Sequence, residues 1–177
     1  MINICCASLW ALLSLGLSGF LRPPSEETVW MEEYSDYIVD RPLNQVVIPG
    51  THISGSYGVN KNSKLCPGDF LEELHPIIRK VGKPLVINYT KTQVSDVVGQ
   101  LHAGVRFLDI YLCKVDGVVY SSHGYLAYPF SNFLQGVKIF ANAHPQEIIT
   151  LNFREFFGFT GVADHKKLFR EVLDALG

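Results

Sequence analysis

The chain has 177 residues, 47% of them hydrophobic and 12% aromatic, a composition that excludes an intrinsically disordered protein. Its net charge of −2 and pI near 6.3 give no electrostatic support to a nucleic-acid partner. The length suits one domain.

Residues 1–20 stand apart, because residues 2–18 carry no charged side chain. Beside a plain buried N-terminal helix, two readings stand for them. One is a signal peptide, with small residues Gly16 and Ser18 offering a cleavage site. The other is an uncleaved membrane anchor, since the stretch is close to the spanning minimum. Secretion or the secretory pathway is the preferred expectation, with anchoring by residues 1–20 as the alternative.

Residues 21–42 read as a polar lead-in, in which Trp30, Tyr34 and Tyr37 are spaced for a short helix pinned to the body. Residues 43–48 predict a first strand, ended by Pro49-Gly50. Residues 70–81 have helical spacing, with Pro76 distorting it. Residues 85–87 predict a short strand. Residues 92–103 predict a helix with Val94, Val97, Val98 and Leu101 on one face, closed at Gly104. Residues 105–112 predict the second main strand, followed by an Asp116-Gly117 hairpin turn into residues 118–120.

Ser131 is positioned to cap a helix running to Ala143, with Phe133, Leu134, Val137, Ile139 and Phe140 as its apolar face. His144-Pro145 stops it. Glu147 opens a strand over residues 148–153. Asp164 is expected to cap a last helix over 166–176, apolar at Leu168, Phe169, Val172, Leu173 and Leu176. Cys66 and Cys113 suit either a bridge in an oxidising compartment or two buried thiols.

Continuous apolar strands alternating with amphipathic helices predict an α/β fold, a parallel sheet under helical cover. A closed eight-fold barrel takes about 250 residues. This chain supplies three or four βα units, so it is either part of a barrel or a smaller open sheet.

Two histidines follow strand-like runs on small-residue loops: Pro49-Gly50-Thr51-His52-Ile53-Ser54-Gly55 and Ser121-Ser122-His123-Gly124. Paired imidazoles can divide general base and general acid work near neutrality. Asp109 lies inside an apolar strand, where an unpaired carboxylate is costly and needs a partner or a site. Glu147 reads as a helix-to-strand junction residue. Tyr125, Tyr128 and Phe130 follow the second histidine and suit a sugar pocket, a membrane interface or core packing.

The ordered set is Pro-Gly-Thr-His, then Gly-Val-Arg-Phe-Leu-Asp, then an apolar hairpin ending in His-Gly, then His-Pro-Gln-Glu before a strand. It resembles the X domain of phosphatidylinositol-specific phospholipases C from about Leu43 onward, over the N-terminal half of that family's distorted (β/α) barrel. After the signal peptide or membrane anchor at 1–20 and the polar lead-in at 21–42, the resemblance makes residues 43–177 the N-terminal part of an X-like domain. It implies cleavage of an inositol phospholipid or a soluble inositol phosphodiester at a membrane surface. His52 matches the general base, His123 the general acid and Asp109 an acid that orients the site or holds calcium. Tyr111, Lys91 and Tyr125 are the candidates for substrate binding, read from their places beside these residues and not from a match to the family.

Two positions depart from the family pattern. Ile53 replaces the usual Asp or Asn, and Tyr111 replaces the usual Arg, or the Asp of the calcium branch. No cofactor is therefore expected, and calcium is disfavoured because Asp109 stands nearly alone as an oxygen ligand. Lys91 and Arg106 are the cations nearest in sequence, with Arg106 out of phase with Asp109 along its strand. Three functions compete: a metal-independent phosphodiesterase, a catalytically silent headgroup-binding protein, and a glycerophosphodiester phosphodiesterase.

Overall fold

The computed structural model describes residues 28–73 and 82–177. The leader and most of the stretch 70–81 lie outside those residues.

The organising element is strand β2, Phe107–Val115. Side chains alternate faces along a strand. Leu108, Ile110 and Leu112 are fully buried on one face, while Asp109, Tyr111 and Cys113 occupy the other. Strand β5, Thr150–Phe157, runs parallel to β2 along its length, from Phe107↔Thr150 to Cys113↔Phe157. The other flank of β2 is shared. The two-residue β1, Gly50–Thr51, pairs in parallel with its start, and β3, Val118–His123, pairs antiparallel with its end.

The β2–β3 turn is Asp116-Gly117, with φ of 50° and 80°, the doubly positive backbone that favours this dipeptide. Strand β4, Tyr125–Pro129, folds back on β3. The five-stranded sheet is therefore mixed and not parallel throughout. It curls into half a barrel, and the outer edge of β5 has no strand partner among the described residues.

Four helices follow the lead-in helices α1 (Trp30–Glu33) and α2 (Ser35–Ile38). They are α3 (Lys83–Thr90), α4 (Val97–His102), α5 (Phe130–Ala143) and α6 (Val162–Leu176). Val97 and Leu101 of α4, Phe130, Phe133, Leu134, Val137 and Phe140 of α5, and Leu168 of α6 pack on Leu108, Ile110 and Leu112. Each such side chain contributes roughly 1.5–3 kcal/mol by leaving water. No helix among the described residues is long and apolar enough to cross a membrane.

Several local expectations are corrected. Residues 43–48 form a 3-10 turn at Leu43–Gln45 and then an extended run outside the ladder, in which Val47 is 92% exposed. The run is apolar because Leu43 and Val46 face Met31, Ile38 and Ile148 across a groove, not because it joins the sheet. Residues 85–87 lie inside α3, whose first turn contains Pro84, a residue preorganised for helix starts. Of residues 70–81, only the 3-10 turn Phe70–Glu73 is described.

Ser131 is not a cap, because α5 already begins at Phe130 and has no side-chain cap. Asp164 sits inside the first turn of α6. It accepts from the Thr160 N–H at 2.9 Å and pairs with Lys114 Nζ at 2.5 Å. Val94, Ile139, Phe169 and Leu173 are exposed instead of facing the core. In the lead-in, Met31 is the buried anchor and the Trp30 indole donates to Gly104 O at 2.9 Å, whereas Tyr34 and Tyr37 are exposed. Cys66 and Cys113 form a disulfide, tying the loop after β1 to β2.

Candidate functional site

The loop after β1 carries His52. Its Nδ1–H donates to Asp109 Oδ2 at 2.8 Å. Its backbone carbonyl accepts from Thr92 Oγ1 and from Gln93 Nε2, both at 2.8 Å. The loop is fixed from beneath by Gln100, which accepts from Thr51 Oγ1 and donates to Ser54 O.

Ile53 is buried with φ of 47°. A β-branched residue in that region is a true outlier, at a cost of about 1–3 kcal/mol. The strain has an observable result, since the Ile53 N–H points at Asp109 Oδ2 from 3.4 Å.

His123 ends β3, and its Nδ1–H donates to Thr90 O at 2.8 Å. Gly124 follows with φ of 69°, and any Cβ there would collide with the Leu71 side chain, so glycine is required. The Gly124 N–H donates to Asp69 Oδ2 at 3.2 Å. Burial pushes the His123 imidazole below the ordinary histidine range. The Thr90 carbonyl and the Asp69 charge oppose that shift, and His52 adds to it.

Tyr111 completes a triangle of rings. The centroid separations are 6.5 Å for His52–His123 and 6.1 Å from Tyr111 to each histidine, all edge to face. Burial, reinforced by the Asp109 charge and opposed by Arg154, pushes the Tyr111 phenol up, so it stays neutral. It can donate a hydrogen bond but carries no charge.

Asp109 is 5% exposed. It also accepts from Asn152 Nδ2 at 3.3 Å and faces the Arg154 guanidinium at 3.5 Å. Among the described residues no cluster of metal-ligating side chains forms. A calcium site needs several oxygen ligands. The groups around Asp109 are an imidazole, an amide and a guanidinium, so oxygen ligands are few and a positive charge already stands 3.5 Å from the carboxylate. These residues do not fit calcium.

The sequence candidates thus divide. His52, Asp109, His123 and Tyr111 converge on one face of the sheet. Lys91 is exposed one residue past Thr90. Tyr125 is 4% exposed and packs among Val59, Leu71 and Ile87, because β4 turns it inward. Phe130 is likewise core, and Tyr128 is half exposed against Tyr57.

Arg106 faces away from the site, where its Nε donates to the buried Glu147 at 2.6 Å. Both are structural. Sequence reasoning missed Arg154, Asn152, Asp69, Thr92 and Gln93. The available signal was the polar pair Asn152 and Arg154 at alternate positions inside an apolar strand.

No family model matches the chain. It is 30% identical over 153 residues to human PI-PLC X domain-containing protein 2, covering 84% of this chain and 50% of that protein. Its curated relatives are PI-PLC X domain proteins. The zebrafish (Danio rerio) X domain-containing protein 3 is 27% identical over 154 residues, again over 84% of this chain and 48% of that protein. The chain spans about half the length of the X domain proteins it matches.

Among solved structures, a Staphylococcus aureus phosphatidylinositol-specific phospholipase C, from work on its membrane binding, superposes with a TM-score of 0.54 at 26% identity. That likeness covers 83% of this chain and 41% of the bacterial one. The half-barrel is therefore a partial barrel of the phospholipase C type.

Proposed function

We propose that the chain carries the acid–base site of a phosphoric diester hydrolase acting on an inositol phospholipid or a related inositol phosphodiester. One observation carries the reading: each imidazole has its Nδ1–H committed to a fixed acceptor, so both Nε2 atoms are left for a group held between the rings. The inositol 2-hydroxyl attacks phosphorus as its proton passes to His52 Nε2. The bond from phosphorus to the diacylglycerol oxygen breaks, and that oxygen takes the proton of His123 Nε2. The products are a cyclic inositol phosphate and diacylglycerol.

Asp109 orients His52 and stabilises the imidazolium that forms, the division of labour of a buried carboxylate–histidine pair. His123 must begin protonated, and an anionic phosphodiester beside it offsets the burial that favours its neutral form.

A phospholipid surface as partner is supported by apolar side chains near the site. Phe70 is 51% exposed with its ring 6.3 Å from that of His123, and Leu85 and Tyr89 of α3 are each 77% exposed. The buried disulfide supports the secretory pathway as location. A catalytically silent headgroup-binding protein is the second reading, favoured by the neutral Tyr111.

The test is release of water-soluble inositol phosphate from phosphatidylinositol vesicles, for the parent protein and His52→Ala. Release that disappears with His52 supports the enzyme. Headgroup binding with no release supports the silent protein.

A further inference from the structure

A phosphodiester carries a negative charge that grows on its oxygens as the leaving group departs, and preorganised cationic donors stabilise it. Neither imidazole, the phenol of Tyr111 nor Asp109 supplies a permanent positive charge. The nearest one comes from a neighbouring strand.

The pairing of β2 with β5 runs Asp109↔Asn152 and Ile110↔Phe153, then jumps to Tyr111↔Glu155. Arg154 is the extra residue, so the irregularity is a bulge centred on it. Bulges bend a strand and re-aim a side chain, and they occur preferentially beside active sites. Arg154 also lies two residues beyond Asn152, the partner of Asp109, and so on the site face of β5. The Arg154 guanidinium stands 3.5 Å from Asp109 Oδ2 and 5.6 Å from the Tyr111 ring centroid. Its side chain is 50% exposed. Arginine has five N–H donors in a planar fork. One contact with Asp109 leaves the other donors of this half-exposed guanidinium uncommitted, Asp109 also holds His52, and a planar fork suits two oxygens of one phosphate.

We propose that Arg154 is the phosphate-binding cation of this site, presented from β5 beside the bulge, with the Tyr111 ring as its neighbour on β2. The assignment rests on the phosphodiester reading and adds to it the residue that grips the phosphoryl group. It also gives Tyr111 a role: the ring supports the cation from one strand away.

The experiment compares the parent with Arg154→Gln, Arg154→Lys and the double variant Arg154→Gln/Tyr111→Arg, each checked for an unchanged melting temperature. Two readouts are used. The first is kcat and KM on phosphatidylinositol vesicles. The second is inorganic phosphate binding, followed through the His123 imidazole resonance, which needs no turnover.

Arg154→Gln is expected to lower kcat by about a hundred- to a thousandfold and to weaken phosphate by about tenfold or more. Arg154→Lys should fall between, and Tyr111→Arg should restore about tenfold in the glutamine background by returning a cation to β2. Arg154→Gln within roughly threefold of the parent in phosphate binding overturns the proposal. So does a loss matched by a fall in melting temperature and not rescued by Tyr111→Arg. Turnover that dies with His52→Ala but survives Arg154→Gln removes the clamp alone. A protein with no turnover whose phosphate binding still depends on Arg154 removes the enzyme reading and keeps the clamp.

Discussion

Arg106 Nε donates to Glu147 Oε2 at 2.6 Å with both side chains fully buried. The same guanidinium donates to the carbonyls of Leu101, Val105 and Thr28, and Glu147 Oε1 accepts from the Glu32 N–H. One ion pair thus fastens α4, the approach to β5 and the lead-in to a single point. Removing one partner strands the other charge. Glu147→Ala or Arg106→Met should cost about 3–5 kcal/mol. Chemical denaturation checks this, and a loss under about 1 kcal/mol would show that the pair is replaceable.

The acid–base pair should respond differently. His52→Ala and His123→Ala should each lose about two to four powers of ten in rate with little change in stability. A chelator should leave the parent rate unchanged, because the groups around Asp109 do not make a calcium site. Loss of turnover on chelation would contradict the two-histidine mechanism.

His123 makes a prediction about protons. Burial favours its neutral form, so its folded value lies below the 6.5 of a free side chain. Stability from this group is therefore full above pH 6.5 and falls as the pH drops through 6.5 toward the folded value. An NMR titration should show His123 midway below 6.5, moving upward when inorganic phosphate is added. A midpoint above 6.5 without phosphate would contradict the burial argument.

The disulfide closes a span of 47 residues. By loop-closure entropy, Cys66→Ser/Cys113→Ser should lose roughly 4 kcal/mol. The loss should appear as a lower denaturant midpoint in the double variant than in the oxidised parent protein.

The 177-residue chain on its own should self-associate. The outer edge of β5 has no partner among the described residues, and beside it lies an apolar groove of about 460 Å³ lined by Phe153, Phe156, Val162, Leu168 and Phe169. Unpaired edges and apolar faces template further association. Sedimentation is the check, and a monodisperse monomer with a cooperative melt would contradict it.

Long, strongly patterned segments were legible in the sequence. β2, the Asp116-Gly117 turn, α5 and α6 follow from alternation, turn chemistry and helical spacing. His52, Asp109 and His123 were legible because polar groups on apolar strands need a reason. Short segments were not. Three apolar residues at 85–87 fit a strand or one helical turn equally, and only Gly82 and Pro84 ahead of them tip the balance. The burial of Tyr125 was not legible, because the strand reversal at Gly124 turns it into the interior while His123 faces the site. Arg154 was missed because the expected strand ended at residue 153, one short of it, whereas β5 continues to Phe157.

The run from Thr90 to Gln93 touches both histidines. The Thr90 carbonyl receives the Nδ1–H of His123, and Thr92 and Gln93 hold the carbonyl of His52. This run leaves directly from α3, whose Leu85 and Tyr89 point outward. One four-residue segment thus buttresses both proton carriers, so the spacing of the two rings rests on a shared support.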